Sequence, residues 1–215
     1  MKVLVTGGLG FIGSHTVVEL QNEGFDVVII DNLSNSKIEV LDKITLITNK
    51  KPEYFNIDLR DKSAVKDFFK NNKVDGVIHF AASKAVGESV LMPLEYYENN
   101  IGSLVYILQE MKVNNLNNFI FSSSCTVYGQ ADHMPITEDA PFKTAESPYG
   151  NTKQIGEEII SDTSKVSKLQ AIALRYFNPI GAHESSKIGE LPIGIPQNLI
   201  PYVTQTAAGI RKELS

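Results

Sequence analysis

Along the chain, short apolar runs rich in β-branched residues alternate with longer stretches whose apolar positions recur at helical spacing. That alternation is what successive βαβ units feeding a parallel sheet produce. Lys2 to Thr6 predicts a strand, Phe11 to Asn22 a helix with Ile12, Thr16 and Leu20 along one stripe, and Asp26 to Asp31 a second strand. The unbroken apolar run Val27-Val28-Ile29-Ile30 suits a strand covered on both faces. Further strands are expected at Tyr54 to Ile57, Gly76 to Ala81, Asn118 to Ser122 and Leu169 to Arg175, with helices over Ser63 to Asn71 and Pro93 to Met111. Ser147 ahead of Pro148 signals another helix, a hydroxyl cap followed by a proline where no N–H is needed. Beyond Asn178 the texture changes, because Gly181, Gly189, Pro192, Gly194, Pro196 and Pro201 crowd together. A long connection towards a second unit is expected there, with Asn198 to Gly209 as one of its helices. The pattern therefore predicts an α/β fold with a doubly wound parallel sheet over residues 1–178 and the start of a smaller C-terminal region over 179–215.

Composition narrows the partners. Hydrophobic residues at 42% and charged residues at 21% are ordinary for a chain with a packed core. A net charge of -5 provides no basic field for nucleic acid or an anionic membrane, so an anionic ligand must be held by local geometry. The single cysteine, Cys125, excludes an internal disulfide and a multi-cysteine metal cluster, and no metal site is expected. No run of ~18 apolar residues and no signal-peptide core follows Met1, so the expectation is a cytoplasmic chain, neither exported nor membrane-inserted.

The first chemical signal is Gly7-Gly8-Leu9-Gly10-Phe11-Ile12-Gly13, placed between the first strand and its helix. Glycines there permit a tight turn and let backbone N–H groups approach a pyrophosphate, to which the helix N-terminus adds partial positive charge. A plain glycine turn ahead of a helix is the bland alternative. Asp31, roughly 20 residues further on, can accept hydrogen bonds from both adenosine ribose hydroxyls and would repel a 2′-phosphate, which favours NAD over NADP in a Rossmann-like unit.

The second signal is Ser124 just past the fifth strand, with Tyr149 and Lys153 four residues apart on one face of the helix that starts at Pro148. A phenol ionises near pH 10, so it serves as a base near neutrality only if a cation such as Lys153 or a nicotinamide ring lowers its pKa. With Ser124 holding the reacting oxygen, these are the parts needed to take a proton from a carbinol while its carbon is oxidised. A Tyr-x-x-x-Lys pair alone is commonplace; its order after a glycine fingerprint and a serine-rich strand end carries the weight.

Thr6 to Gly13, Phe121 to Gly129 (FSSSCTVYG), Ser147 to Lys153 (SPYGNTK) and Leu174 to His183 (LRYFNPIGAH) together resemble the UDP-glucose 4-epimerases of the extended short-chain dehydrogenase/reductase family, over essentially the whole chain. The resemblance implies interconversion of UDP-galactose and UDP-glucose by NAD-mediated oxidation and re-reduction at C4. Tyr149 would be the base, Ser124 its partner at the 4-hydroxyl, and Lys153 a holder of the nicotinamide ribose. Gly7, Gly10, Phe11, Ile12, Gly13, Asp31, Asn32, Asn35, Ser36, Asp58, Leu59, Phe80, Ala81, Ala82, Lys84, Asn99, Ser122, Tyr176 and Phe177 would line the NAD site with Tyr149 and Lys153. Lys84, Asn178, Asn198 and Leu199 would meet the UDP-sugar, and a homodimer would pair the Pro93 to Met111 helix with the helix after Pro148. Three departures stand out. Ala82 replaces a frequent glycine, and Cys125 replaces a frequent alanine. The family's chains also run well past residue 215. Ser124-Cys125-Thr126 has no carboxylate, which disfavours the water elimination run by dehydratases of the same superfamily. Another UDP-sugar epimerase, an NAD-dependent dehydrogenase or a non-catalytic NAD-binding module remain the alternatives.

Overall fold

The computed structural model describes residues 1–193 and 198–214. In chain order the elements are β1 (Lys2–Thr6), α1 (Phe11–Asn22), β2 (Asp26–Ile30), α2 (Glu39–Thr48), β3 (Glu53–Phe55), α3 (Lys62–Asn71), β4 (Gly76–His79), α4 (Val86–Leu91), α5 (Pro93–Tyr97), one turn of wider π geometry (Glu98–Gly102) and α6 (Ser103–Val113). There follow β5 (Asn118–Ser122), a 3₁₀ turn (Cys125–Tyr128), α7 (Pro148–Lys165), β6 (Gln170–Leu174) and α8 (Leu199–Ala207). The six strands form one sheet in the order β3-β2-β1-β4-β5-β6, every pair parallel. This is the doubly wound order, whose direction reverses between β1 and β4 and leaves a crevice at the carboxyl ends of those strands.

The register brings the functional segments to that edge. Thr6 lies beside Ile30 and His79, His79 beside Phe121, and Ser122 beside Leu174. Gly7, Asp31, Phe80, Ser123 and Arg175 therefore leave the sheet at one level. The second and fourth strands end two residues or fewer short of the predicted Asp31 and Ala81, because the ladder stops where the chain turns into these loops.

Both faces of the sheet are covered, as the unbroken apolar runs require. On one side Phe119, Phe121, Leu4 and Val28 pack with Phe68 and Phe69 of α3, Leu104, Ile107 and Met111 of α6, and Ile160 of α7. On the other, Val5, Val27 and Ile29 pack with Val17 and Val18 of α1 and Leu41 and Ile44 of α2. Truncating any of these large side chains to alanine is expected to cost about 2–5 kcal/mol through lost burial and the cavity left behind. Ile188, from the long connection after β6, joins this second core and ties that connection back to α1.

Three features depart from the sequence pattern. Helix α1 buries Gly13, Ser14, Val17, Val18 and Gln21, leaving the expected Ile12–Thr16–Leu20 stripe half-buried, because Gly13 must face the preceding turn. Helices α2 and α4 lie outside the elements that the sequence pattern predicts. The expected long helix from Pro93 is interrupted by the π turn, where the amide of Asn100 donates to the Ser83 carbonyl (2.9 Å) and the Thr152 hydroxyl (3.0 Å), bonding the helix to α7 and to the loop after β4. The outer strand β6 leaves Ile172 and Leu174 exposed.

Candidate active site

The turn between β1 and α1 has room for hydrogen atoms only. Gly7 has φ +67°, and a Cβ there would lie 2.8 Å from the Ala81 nitrogen; a Cβ on Gly13 would lie 2.2 Å from the Gly7 carbonyl oxygen. The approach of α1 to its own turn therefore depends on these two glycines. Helices α3 and α7 are capped by side chains, Asp61 accepting from Ser63 and Ala64, and Ser147 from Gly150. Helix α1 starts at Gly10 with no side-chain cap and no acidic residue in its first turn, so its orphan N–H groups point at the crevice free to meet an anion.

Asp31 is buried at the end of β2, where Oδ2 accepts from the Leu9 amide (3.0 Å), while Oδ1 accepts from the Leu33 amide (3.0 Å) and the Ser36 hydroxyl (2.7 Å). The acid thus fastens the glycine turn to the β2 loop and, among the described residues, keeps one free acceptor position, on Oδ2. Direct acceptance from both ribose hydroxyls would require Ser36 to let go. Asn32 donates to Asp58 (3.3 Å), whose carboxyl is held down to about 2, chiefly by its hydrogen bonds from Arg60. The Leu59 side chain is buried in the core, and Asn35 is exposed on the β2 loop.

At the other end of the crevice, Ser124 precedes the 3₁₀ turn. Its oxygen accepts from the Thr126 amide (3.2 Å), which leaves the hydroxyl proton free to point elsewhere. Lys153 is only 3% exposed; its ammonium donates to the Ser122 carbonyl (2.6 Å) and lies 4.9 Å from the Phe121 ring centre and 5.8 Å from that of Tyr149. Tyr149 and Lys153 thus face the same space, with two ammonium protons left for a ligand. Burial pulls the Lys153 pKa down to about 8. Burial also pushes the Tyr149 phenol up, opposed by the Ser124 hydroxyl beside it. The lowering expected from Lys153 does not prevail: in the ligand-free protein desolvation wins, so the acid form of Tyr149 is the resting one.

Of the remaining predicted residues, Phe80 packs against the α1-side core and Ala81 borders Gly7. Ala82 is not among the positive-φ residues, so the alanine sits where glycine's freedom is not needed. The Asn99 amide donates to the Ser83 hydroxyl (3.1 Å), and the Tyr176 hydroxyl donates to Ser122 Oγ (2.6 Å). Phe177, Asn178 and Leu199 are exposed on the connection after β6 and on α8. The Asn198 amide donates to Glu190 (2.6 Å), whose same oxygen lies 3.7 Å from the Lys84 ammonium. Cys125 is partly buried, and desolvation pushes its thiol up, away from thiolate chemistry.

The sequence assigns no role to several residues that shape this end. Glu190 joins Lys84 to Asn198, and Asn100 ties Ser83 to Thr152. His79 is buried beside Phe119 and Phe121, bonded to the Thr6 hydroxyl (2.8 Å), and burial drives its pKa down to about 3, so it is a neutral core residue. Glu157 lies on α7 one turn beyond Lys153 and pairs with Arg175. The pair is partner to an element 18 residues away, a spacing that no local pattern marks.

A doubly wound parallel sheet with an uncapped glycine turn at its switch point is a dinucleotide-binding architecture of the Rossmann type. Within that class the chain belongs to the NAD dependent epimerase/dehydratase family, whose profile matches residues 3–206. It is 50% identical over 216 residues to the UDP-glucose 4-epimerase of Haemophilus influenzae, covering all of this chain and 64% of that protein. It is 49% identical to that of Bacillus subtilis, of which it covers 63%. Among solved structures, the UDP-glucose 4-epimerase of Bifidobacterium longum in complex with NAD+ and UDP superposes with a TM-score of 0.97 at 47% identity, over all of this chain and 64% of that one. The chain thus spans a little under two thirds of the length of these relatives.

Proposed function

We propose that the chain forms the NAD-binding and acid–base part of an epimerase that interconverts UDP-galactose and UDP-glucose. The observation that carries this reading is the convergence of Ser124, Tyr149 and the buried Lys153 ammonium at the opposite end of the crevice from the uncapped glycine turn. The names of its half-identical relatives point the same way. The residues fit NAD: the α1 N-terminus suits a pyrophosphate, the free Oδ2 position of Asp31 suits a ribose hydroxyl and disfavours a 2′-phosphate, and the spare Lys153 protons suit the second ribose. Bound NAD would supply the reversible two-electron oxidation at C4 that allows the stereocentre to be rebuilt.

The chain's own side chains do the rest. Tyr149 takes the proton of the 4-hydroxyl and later returns it, Ser124 holds that oxygen, and Lys153 steadies the phenolate electrostatically across the gap to its ring. Residues 179–215 begin the UDP-sugar region, with Lys84, Asn178, Asn198 and Leu199 towards the UDP-sugar. Two copies pair through the Pro93 to Met111 stretch and α7; Leu94 on the former stays exposed. No helix of the described residues is long and apolar enough to cross a membrane, and the cytoplasm is the compartment we assign.

The test is to purify the protein, identify the nucleotide that stays with it, and add UDP-galactose. Retained NAD and formation of UDP-glucose without net reduction of the nucleotide are expected. A protein that keeps no dinucleotide removes the reading, and stoichiometric accumulation of reduced nucleotide would make it a dehydrogenase.

A further inference from the structure

Ser122 to Cys125 is a four-residue segment that holds Ser124 against Tyr149, and it is gripped from two directions. From α7, Lys153 donates to the Ser122 carbonyl (2.6 Å) and the Glu157 carboxylate accepts a short bond from the Ser123 hydroxyl. From the end of β6, the Tyr176 hydroxyl donates to Ser122 Oγ (2.6 Å) and the Tyr176 carbonyl accepts from the Cys125 amide (3.1 Å). One ion pair joins the two grips. Arg175 binds Glu157 with Nε at 2.9 Å from Oε1 and Nη2 at 2.7 Å from Oε2. The other guanidinium nitrogen reaches the Tyr128 hydroxyl (3.1 Å) and the Glu138 carbonyl (3.2 Å), while the guanidinium carbon lies 4.7 Å from the Phe142 ring centre. The side chains of Arg175 and Glu157 are 21% and 10% exposed, so the pair is poorly screened, and a planar bidentate fork fixes both orientation and distance. Ser123 is only 1% exposed, and its hydroxyl is the link from that pair to the strand end.

We propose that Glu157 and Arg175 are positioning residues: through Ser123 their ion pair sets the direction of the neighbouring Ser124 hydroxyl, and with it the geometry of the serine–tyrosine acid–base pair. On α7 the working face then runs Tyr149, Lys153, Glu157, at successive turns, with only the first two meeting ligand. The inference rests on reading Ser124 and Tyr149 as the acid–base pair.

Cys125, the sole cysteine, supplies a readout that needs neither cofactor nor turnover. Its thiol has the Ser124 hydroxyl and the Tyr149 phenol for neighbours, and the hydroxyl draws its pKa down against the effect of burial. The pH midpoint of its alkylation by iodoacetamide therefore reports where Ser124 points. The informative variant is Ser123→Ala, which keeps the ion pair and cuts only its link to the segment; Glu157→Ala would strand a guanidinium and endanger the fold. Ser123→Ala is expected to raise the midpoint by about half a pH unit, slowing alkylation near pH 8 roughly threefold, in the same direction as Ser124→Ala. Glu157→Gln keeps an acceptor for Ser123, and its midpoint should fall between those of Ser123→Ala and the wild type. A purely structural role would lower the melting temperature and leave the midpoint alone, so a wild-type midpoint in Ser123→Ala overturns the proposal. A protein that retains no NAD would defeat the functional reading and leave this result standing.

Discussion

The two ends of the crevice are built by opposite means. At the β1–α1 turn the site is made of atoms that are missing: no Cβ on Gly7 or Gly13, no side-chain cap on α1. At the β5–α7 end it is made almost wholly of side chains, which bond across gaps of 31 to 54 residues. The contrast shows where each end is vulnerable. The first fails by crowding, through backbone that cannot move; the second fails by loss of direction, through side chains that can.

Crowding should give the largest effect. Gly13→Ala puts a methyl 2.2 Å from a carbonyl oxygen with backbone on both sides, and should destabilise the chain by more than about 3 kcal/mol, measured by urea unfolding. A cost below about 1 kcal/mol would break the claim that this end is sterically closed. At the other end, under the proposed function, Tyr149→Phe should lower any epimerase turnover by about 10²- to 10⁴-fold while retained dinucleotide stays at the wild-type level. Parallel loss of both would erase the distinction between the ends.

Lys153 sharpens the comparison through pH. Burial lowers its pKa from 10.5 to about 8, so between those values the unfolded chain keeps a proton that the folded chain has released, and stability rises with pH there. Below pH 8 the charged ammonium is a net cost to folding. Lys153→Met should therefore stabilise the protein at pH 7 by about 1–2 kcal/mol, after allowing for the orphaned Ser122 carbonyl, even though the proposed function requires it to lose turnover. That advantage should shrink as pH climbs from about 8 towards 10.5 in pH-resolved melting curves. The smallest effect is expected at Ala82, where negative φ makes glycine unnecessary: Ala82→Gly should change stability by less than about 1 kcal/mol in the same unfolding assay.

What could be read from sequence follows the same division. The glycine turn is legible because its determinants lie within seven successive positions and share one cause, close backbone approach. The strands are legible because coverage on both faces demands unbroken apolar runs such as Val27 to Ile30. Tyr149 and Lys153 are legible as neighbours on one helix face. Their electrical state is not, because it depends on burial: the lysine is almost wholly covered, and in the ligand-free protein the phenol rises although a neighbouring cation alone would lower it. Glu157, Arg175 and Glu190 are illegible for a related reason, since each finds its partner on a different element. Helix α2 hid because Leu46 remains exposed among its apolar residues, blurring the stripe formed by Leu41 and Ile44. Helix α4 has only six residues, too few for a period to show.

The π turn at Glu98–Gly102 carries one residue more than an α turn of the same span needs. Each helical residue advances the chain by about 100° around the axis, so this insertion acts as a phase offset between α5 and α6. Substitutions at the turn keep the offset. A single deletion would cancel it and rotate α5 by about 100° relative to the core, carrying the Tyr96 hydroxyl away from Glu88 and the Ala85 amide it now serves. Length, more than composition, is what this helix must preserve.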